Sequence, residues 1–167
     1  MARHVRIVCW IVLTLLISPA SAQVVISEDR GGRIGEYIDK WQRLADSKES
    51  VMIDGLCASA CTLVVGAIPP SRICATKRAR LGFHAAWNAG PNGTAIVNPD
   101  ATSILMMNYP PALQRWIRHH GGLSRRMIFL SGRALSQIVS PCGTRASEYA
   151  AVRTQPKRIV IRGQARQ

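Results

Sequence analysis

The chain has 167 residues, the length of one ordinary domain. With 47% hydrophobic and 19% charged residues it has the composition of a globular protein, which excludes a disordered chain. Its formal net charge of +13 suits anionic partners such as lipid headgroups, cell-wall polymers or acidic proteins, or serves only solubility and wall retention.

The first 22 residues are set apart from the fold. "MARHVR" is basic, and "IVCWIVLTLLI" is an apolar run too short for an ordinary membrane span. "SPASAQ" carries Ala20 and Ala22 in an A-x-A pattern. Residues 1–22 read as a secretory signal peptide cut after Ala22, with an uncleaved anchor as the alternative. Cleavage removes Arg3 and Arg6, so the charge becomes 13 − 2 = +11. It also removes Cys9 and leaves Cys57, Cys61, Cys74 and Cys142. An even number of cysteines in an exported protein reads as two disulfides, with three connectivities open. The spacing matches no common zinc finger, so no metal or other cofactor is expected. The expected location is the periplasm or the exterior, which argues against nucleic acid as a partner and leaves no stable membrane span.

The domain proper is expected over residues 23–152. "QVVIS" reads as a strand, "EDRGGRIG" as a sharp turn with permissive Gly31 and Gly32. Ile34, Ile38, Trp41 and Leu44 then recur at helical spacing, predicting an amphipathic helix that ends near Ser47. "VMID" (51–54) is a buried strand, which completes a βαβ unit with parallel strands.

"ASACTLVVGAI" (58–68) reads as a helix opened by Ser59 and stopped by Pro69 and Pro70. "RICAT" is a third strand, and "ARLGFHAAW" (79–87) a fourth extended piece carrying His84. "NAGPNGTAIVNPD" reads as an exposed loop or hairpin. Residues 101–119 are expected to be helical with a break at Pro110 and Pro111. "LSRRMIFLSGRALSQIV" holds one or two short helices. Residues 153–167 form a basic tail, either disordered or ending in an edge strand. The class is α/β, with mainly parallel strands and a helical C-terminal part.

Three features carry chemistry. Ser59 at a helix mouth would meet unpaired N–H groups and the positive end of the helix dipole, which favour a developing oxyanion; it could equally be a plain N-cap. His84 at a strand end is a candidate general base or a core histidine. The Gly31-Gly32 turn frees backbone N–H groups to face a ligand. His119 and His120 invite a metal reading, but cations are favoured at a helix C-terminus in any case. Leu113, Trp116 and Ile117 read as core.

A glycine pair after a strand, a serine opening a helix 27 residues after Gly32, and a histidine 25 residues later in "ARLGFH" together resemble the Clp-protease/crotonase superfamily. More narrowly, the chain resembles small exported Clp-protease-like proteins with "CxSAC" around the serine. The resemblance is strongest from Val24 to His84. It implies Ser59 as nucleophile, His84 as general base, and the N–H groups of Gly32 and Ala60 as the oxyanion hole. The loop after Trp87 and the helix around Trp116 would border a groove for a peptide or protein substrate, and such folds assemble into homo-oligomers.

The family's acid is missing. Its expected region, "LSRRMIFLSGRAL", has none, and only Asp100 and Glu148 follow His84. Lys77 is the only lysine between Ser59 and the tail, so no Ser-Lys dyad offers itself. The reading is a serine hydrolase, a peptidase using a Ser-His dyad or an incomplete triad with Asp100, or an inactive envelope binding or scaffold protein of the same fold. The disulfides expected beside the serine are Cys61–Cys74 and Cys57–Cys142.

Overall fold

The computed structural model describes residues 23–143. The expected signal peptide (1–22), residues 144–152 and the basic tail (153–167) lie outside the described residues. Strand β1 (Gln23–Asp29) leads through the glycine turn into helix α1 (Ile34–Ser47) and back into β2 (Ser50–Ala58). Helix α1 buries Ile38 and Trp41 in the core and keeps its charged residues outward, as the 3.6-residue periodicity dictates. Enclosing a side chain of Trp41's size contributes about 3 kcal/mol. Arg72 ties the end of the helix down by donating to the carbonyls of Ala45 and Glu49.

β1 and β2 are parallel, in register from Gln23↔Ser50 to Ile26↔Ile53 and again from Glu28↔Leu56 to Asp29↔Cys57. The slip between the two runs is a bulge. Gly55 sits there because a Cβ would lie 1.9 Å from the Ser27 carbonyl oxygen. β2 runs four residues beyond Asp54, where the sequence pattern ends the strand. Its nine residues carry two short strands end to end on the far edge: β3 (Ile73–Ala75) along Val51–Ile53, and β4 (Arg80–Phe83) along Leu56–Ala58, both parallel. Asp54 marks the junction and accepts hydrogen bonds from Thr76 and Arg78 of the connecting turn. Those bonds hold its carboxyl below the usual carboxylate range.

The fifth strand corrects the sequence reading. Ile128–Ser131 forms β7, antiparallel to β4 with Leu81 opposite Leu130, where a short helix is expected. Only α5 (Gly132–Ser136) in that stretch is helical. The apolar residues of "MIFL" fit either state locally; the open edge of β4 decides it. β5 (Trp87–Ala89) and β6 (Ala95–Val97) form the separate hairpin, and α3 (Pro99–Asn108) and α4 (Pro111–His119) follow, divided by the prolines. The result is an α/β domain with a mixed, mostly parallel sheet in the order β1-β2-β4-β7.

The disulfides also correct the expectation: they join Cys57 to Cys61 and Cys74 to Cys142. Cys74 lies opposite Met52, five residues back along β2 from Cys57. At about 3.3 Å per residue Cys57 is roughly 16 Å from Cys74, and Cys61, its Cα only 5.4 Å from that of Cys57, is still about 11 Å away or more, beyond disulfide reach. Cys142 instead comes to Cys74, because the segment at Pro141 runs parallel to β3 at Ala75. Cys57 and Cys61 are left with each other across a tight turn, Cα atoms 5.4 Å apart. Two disulfides fit an oxidising compartment. Among the described residues no helix is long and apolar enough to cross a membrane.

Candidate active site

The carboxyl ends of β1, β2 and β4 lie side by side, the end of an open α/β sheet where ligands bind. Ser59 is the first residue after β2. The expected helix from 58 to 68 is a 3₁₀ turn (Ser59–Leu63) followed by the four-residue α2 (Val64–Ala67). Ser59 has φ +56°, the left-handed conformation that costs a non-glycine residue about 1–2 kcal/mol. An N-cap has extended backbone, and here that residue is Ala58. Ser59 is therefore not an N-cap serine; it sits at a sharp strand-to-helix turn, partly exposed.

Three constraints impose that conformation. The Cys57–Cys61 bridge closes the turn around it. Thr62, fully buried, donates from its hydroxyl to the Ser59 carbonyl oxygen at 2.6 Å, and Tyr109 meets the same hydroxyl at 2.7 Å. Thr62 has one hydroxyl proton, so Tyr109 must be the donor to it. Burial raises the pKa of the Tyr109 phenol and keeps it in that donor form. The third constraint is Gly31, φ +81°: a Cβ there would lie 2.6 Å from the Ala58 carbonyl oxygen and 2.8 Å from the Ala60 nitrogen.

Asp29 fixes the glycine turn in place. Its carboxylate accepts from the Gly31 N–H at 2.9 Å, the Tyr37 hydroxyl at 2.5 Å and Lys40 Nζ at 3.3 Å. Burial opposes ionisation of Asp29, but these three donors outweigh it and lower its pKa. Burial, and then the bond to Asp29, push the Tyr37 hydroxyl up to about 12. The Tyr37 ring lies under Gly32. The Gly31 N–H is thus spent on Asp29, whereas the N–H groups of Gly32 and Ala60 find no such acceptor among the described residues. Ala60, second in its turn, belongs to the helix-start donors that have no partner within the helix.

His84 follows β4 directly, two residues beyond Gly82, the partner of Ala58. Serine and histidine therefore stand at the same end of adjacent strands, spaced about 4.8 Å apart. His84 Nδ1 lies 2.7 Å from the Ala85 carbonyl oxygen. A carbonyl only accepts, so Nδ1 carries a proton, which leaves Nε2 bare in the neutral form of the ring. The supporting backbone is anchored on both sides: Ala85 N–H donates to the Ser124 carbonyl, and Ala86 N–H to the Thr102 hydroxyl. Neither Nε2 nor the Ser59 hydroxyl forms a hydrogen bond among the described residues. The two residues expected as nucleophile and base thus make no hydrogen bond to each other. Such bonds in ligand-free sites are often long and tighten with substrate.

Asp100 does not join them. It is exposed in the first turn of α3 and has no hydrogen bond or ion pair among the described residues. Trp116 packs near the Phe83 ring and stacks on His120, whose Nδ1 bonds the Trp116 carbonyl. Among the described residues no three His, Cys, Asp or Glu side chains gather as metal ligands. Sequence reasoning missed the Asp29–Tyr37–Lys40 cluster and the Thr62–Tyr109 pair. An aspartate two residues before a glycine pair, with Tyr37 and Lys40 one helical turn apart, was the signal for the first. Nothing local signals the second.

No family model and no curated protein matches the chain. Among solved structures it is similar to a ClpP1 mutant from Listeria monocytogenes, with a TM-score of 0.42 and 15% sequence identity; the match covers 77% of this chain and 78% of that one.

Proposed function

We propose that this protein is an exported serine hydrolase, a peptidase that is acylated at Ser59. The observation that carries the reading is the left-handed Ser59 at the carboxyl end of β2, held against the Gly31-Gly32 turn with His84 ending the next strand. A non-glycine residue in that conformation persists only where its surroundings enforce it, and such positions cluster at functional sites.

In the proposed reaction the Ser59 hydroxyl attacks the substrate carbonyl while His84 Nε2 takes its proton. The N–H groups of Gly32 and Ala60 stabilise the oxyanion. His84 passes the proton to the leaving amine, and the acyl group stays on Ser59. Water then attacks the acyl group, giving a proton to His84, which returns it to the departing Ser59 oxygen as the acid product leaves. The Ala85 carbonyl holds the imidazole in the required tautomer, part of the role an aspartate has in a triad. It lacks the full negative charge that would stabilise the imidazolium, so turnover is expected to be slow.

A fluorophosphonate probe tests this. Folded, oxidised protein should be labelled on Ser59, and Ser59→Ala should not. A second reading, an envelope binding protein with a retired site, is favoured by the lack of a carboxylate at His84 among the described residues. Failure to label the folded protein would select it.

A further inference from the structure

A groove of about 330 Å³ opens beside His84. Its lining is mostly apolar: Trp87, Ala95 and Val97 of the β5–β6 hairpin, Ala85, and Met127 just before β7. Trp87 is 52% and Val97 37% exposed, a costly display for large apolar side chains beside a catalytic histidine. One permanently charged side chain lines the groove, Arg125, and no described carboxylate pairs with it. A guanidinium presents a fork of donors suited to a carboxylate, and cannot be deprotonated near neutral pH.

We infer that this groove selects peptide segments in which an apolar side chain is followed or preceded by an aspartate or glutamate. The apolar side chain lies against Trp87, Val97 and Met127, and the acidic side chain reaches Arg125. The volume admits a leucine-sized or phenylalanine-sized group together with a neighbouring acidic side chain. The inference rests on the hydrolase reading for its meaning as a substrate subsite, but the binding it describes is measurable without turnover.

Calorimetry on oxidised Ser59→Gly protein supplies the test. The peptides are capped at both ends, so that terminal carboxylates are removed, and differ only in Leu-Glu against Leu-Gln. The acidic peptide should bind about five- to tenfold more tightly, the range of one charge-assisted hydrogen bond at a partly solvated site. The preference should shrink with added salt. Arg125→Gln should erase it, and Trp87→Ala should weaken both peptides alike. Equal binding of the two peptides overturns the inference, as does a preference that survives Arg125→Gln. A third peptide, with no acid but a free C-terminus, overturns it too if it binds best, since the groove would then read a terminus. Acid preference in a protein whose Ser59 resists the fluorophosphonate probe would sink the hydrolase reading and leave the groove's selectivity standing.

Discussion

Gly31 and Ser59 touch so closely that no side chain fits between them: a Cβ on Gly31 would lie 2.7 Å from the Cβ of Ser59. Gly31 is also at φ +81°, which alanine tolerates poorly. Gly31→Ala therefore carries both a conformational and a steric cost, together roughly 2–4 kcal/mol. Urea unfolding should show a lowered midpoint of that size. Where the variant still folds, labelling of Ser59 should be lost, because the turn must back away from the serine.

Ser59 itself should be a site where function opposes stability. Glycine accepts its left-handed backbone freely; alanine does not. Ser59→Gly should be more stable than Ser59→Ala by about 1 kcal/mol, or about 3 °C in Tm for a domain of this size. Equal stability of the two would mean that the turn is not strained in solution.

The Asp29 cluster makes the site sensitive to acid. A carboxyl whose pKa is lowered by folding adds stability above its unfolded value, near 4, and that stability is lost as pH falls through the lower folded value. Labelling and thermal stability should fall together below about pH 4. On the alkaline side Tyr37, raised to about 12, keeps its proton well past its ordinary titration near 10. Asp29→Asn retains an acceptor for the Gly31 N–H and should be milder than Asp29→Ala, which leaves that N–H and the Tyr37 hydroxyl unpaired at about 1–3 kcal/mol. A melting series over pH with these two variants reads both effects.

Asp100 should be dispensable. It stands exposed on α3 while the Ala85 carbonyl occupies His84 Nδ1. Asp100→Asn should leave the labelling rate unchanged within about twofold, whereas loss of a working triad acid costs about 10⁴.

Much of the architecture was legible because it is local. Ile34, Ile38, Trp41 and Leu44 announce α1, which ends at Ser47 as the pattern predicts. The β1–α1–β2 unit follows from it, and Ser59 and His84 are visible as strand-end residues. What escaped depends on partners distant in sequence. β7 exists because β4 has an edge to fill. The disulfides follow from a register that sets Cys74 opposite Met52, which no spacing reveals. The region after Ser59 mixes helix formers, Ala60 and Leu63, with β-branched Thr62, Val64 and Val65 and with Gly66, and its first turn, spanned by the Cys57–Cys61 bridge, is 3₁₀. The glycine pair was legible as a turn. That Gly31 is held by Asp29, leaving Gly32 and Ala60 with unspent N–H groups, required the packing of Tyr37 and Lys40 to be seen.

The most direct measurement is the rate at which a fluorophosphonate modifies Ser59, mapped by mass spectrometry, in the oxidised protein and in His84→Asn. A histidine acting as general base should make the variant slower by about 10²-fold or more, with the adduct on Ser59 alone. Equal rates in the two proteins, or no adduct on Ser59 in folded protein, would contradict a catalytic pair at the carboxyl ends of β2 and β4.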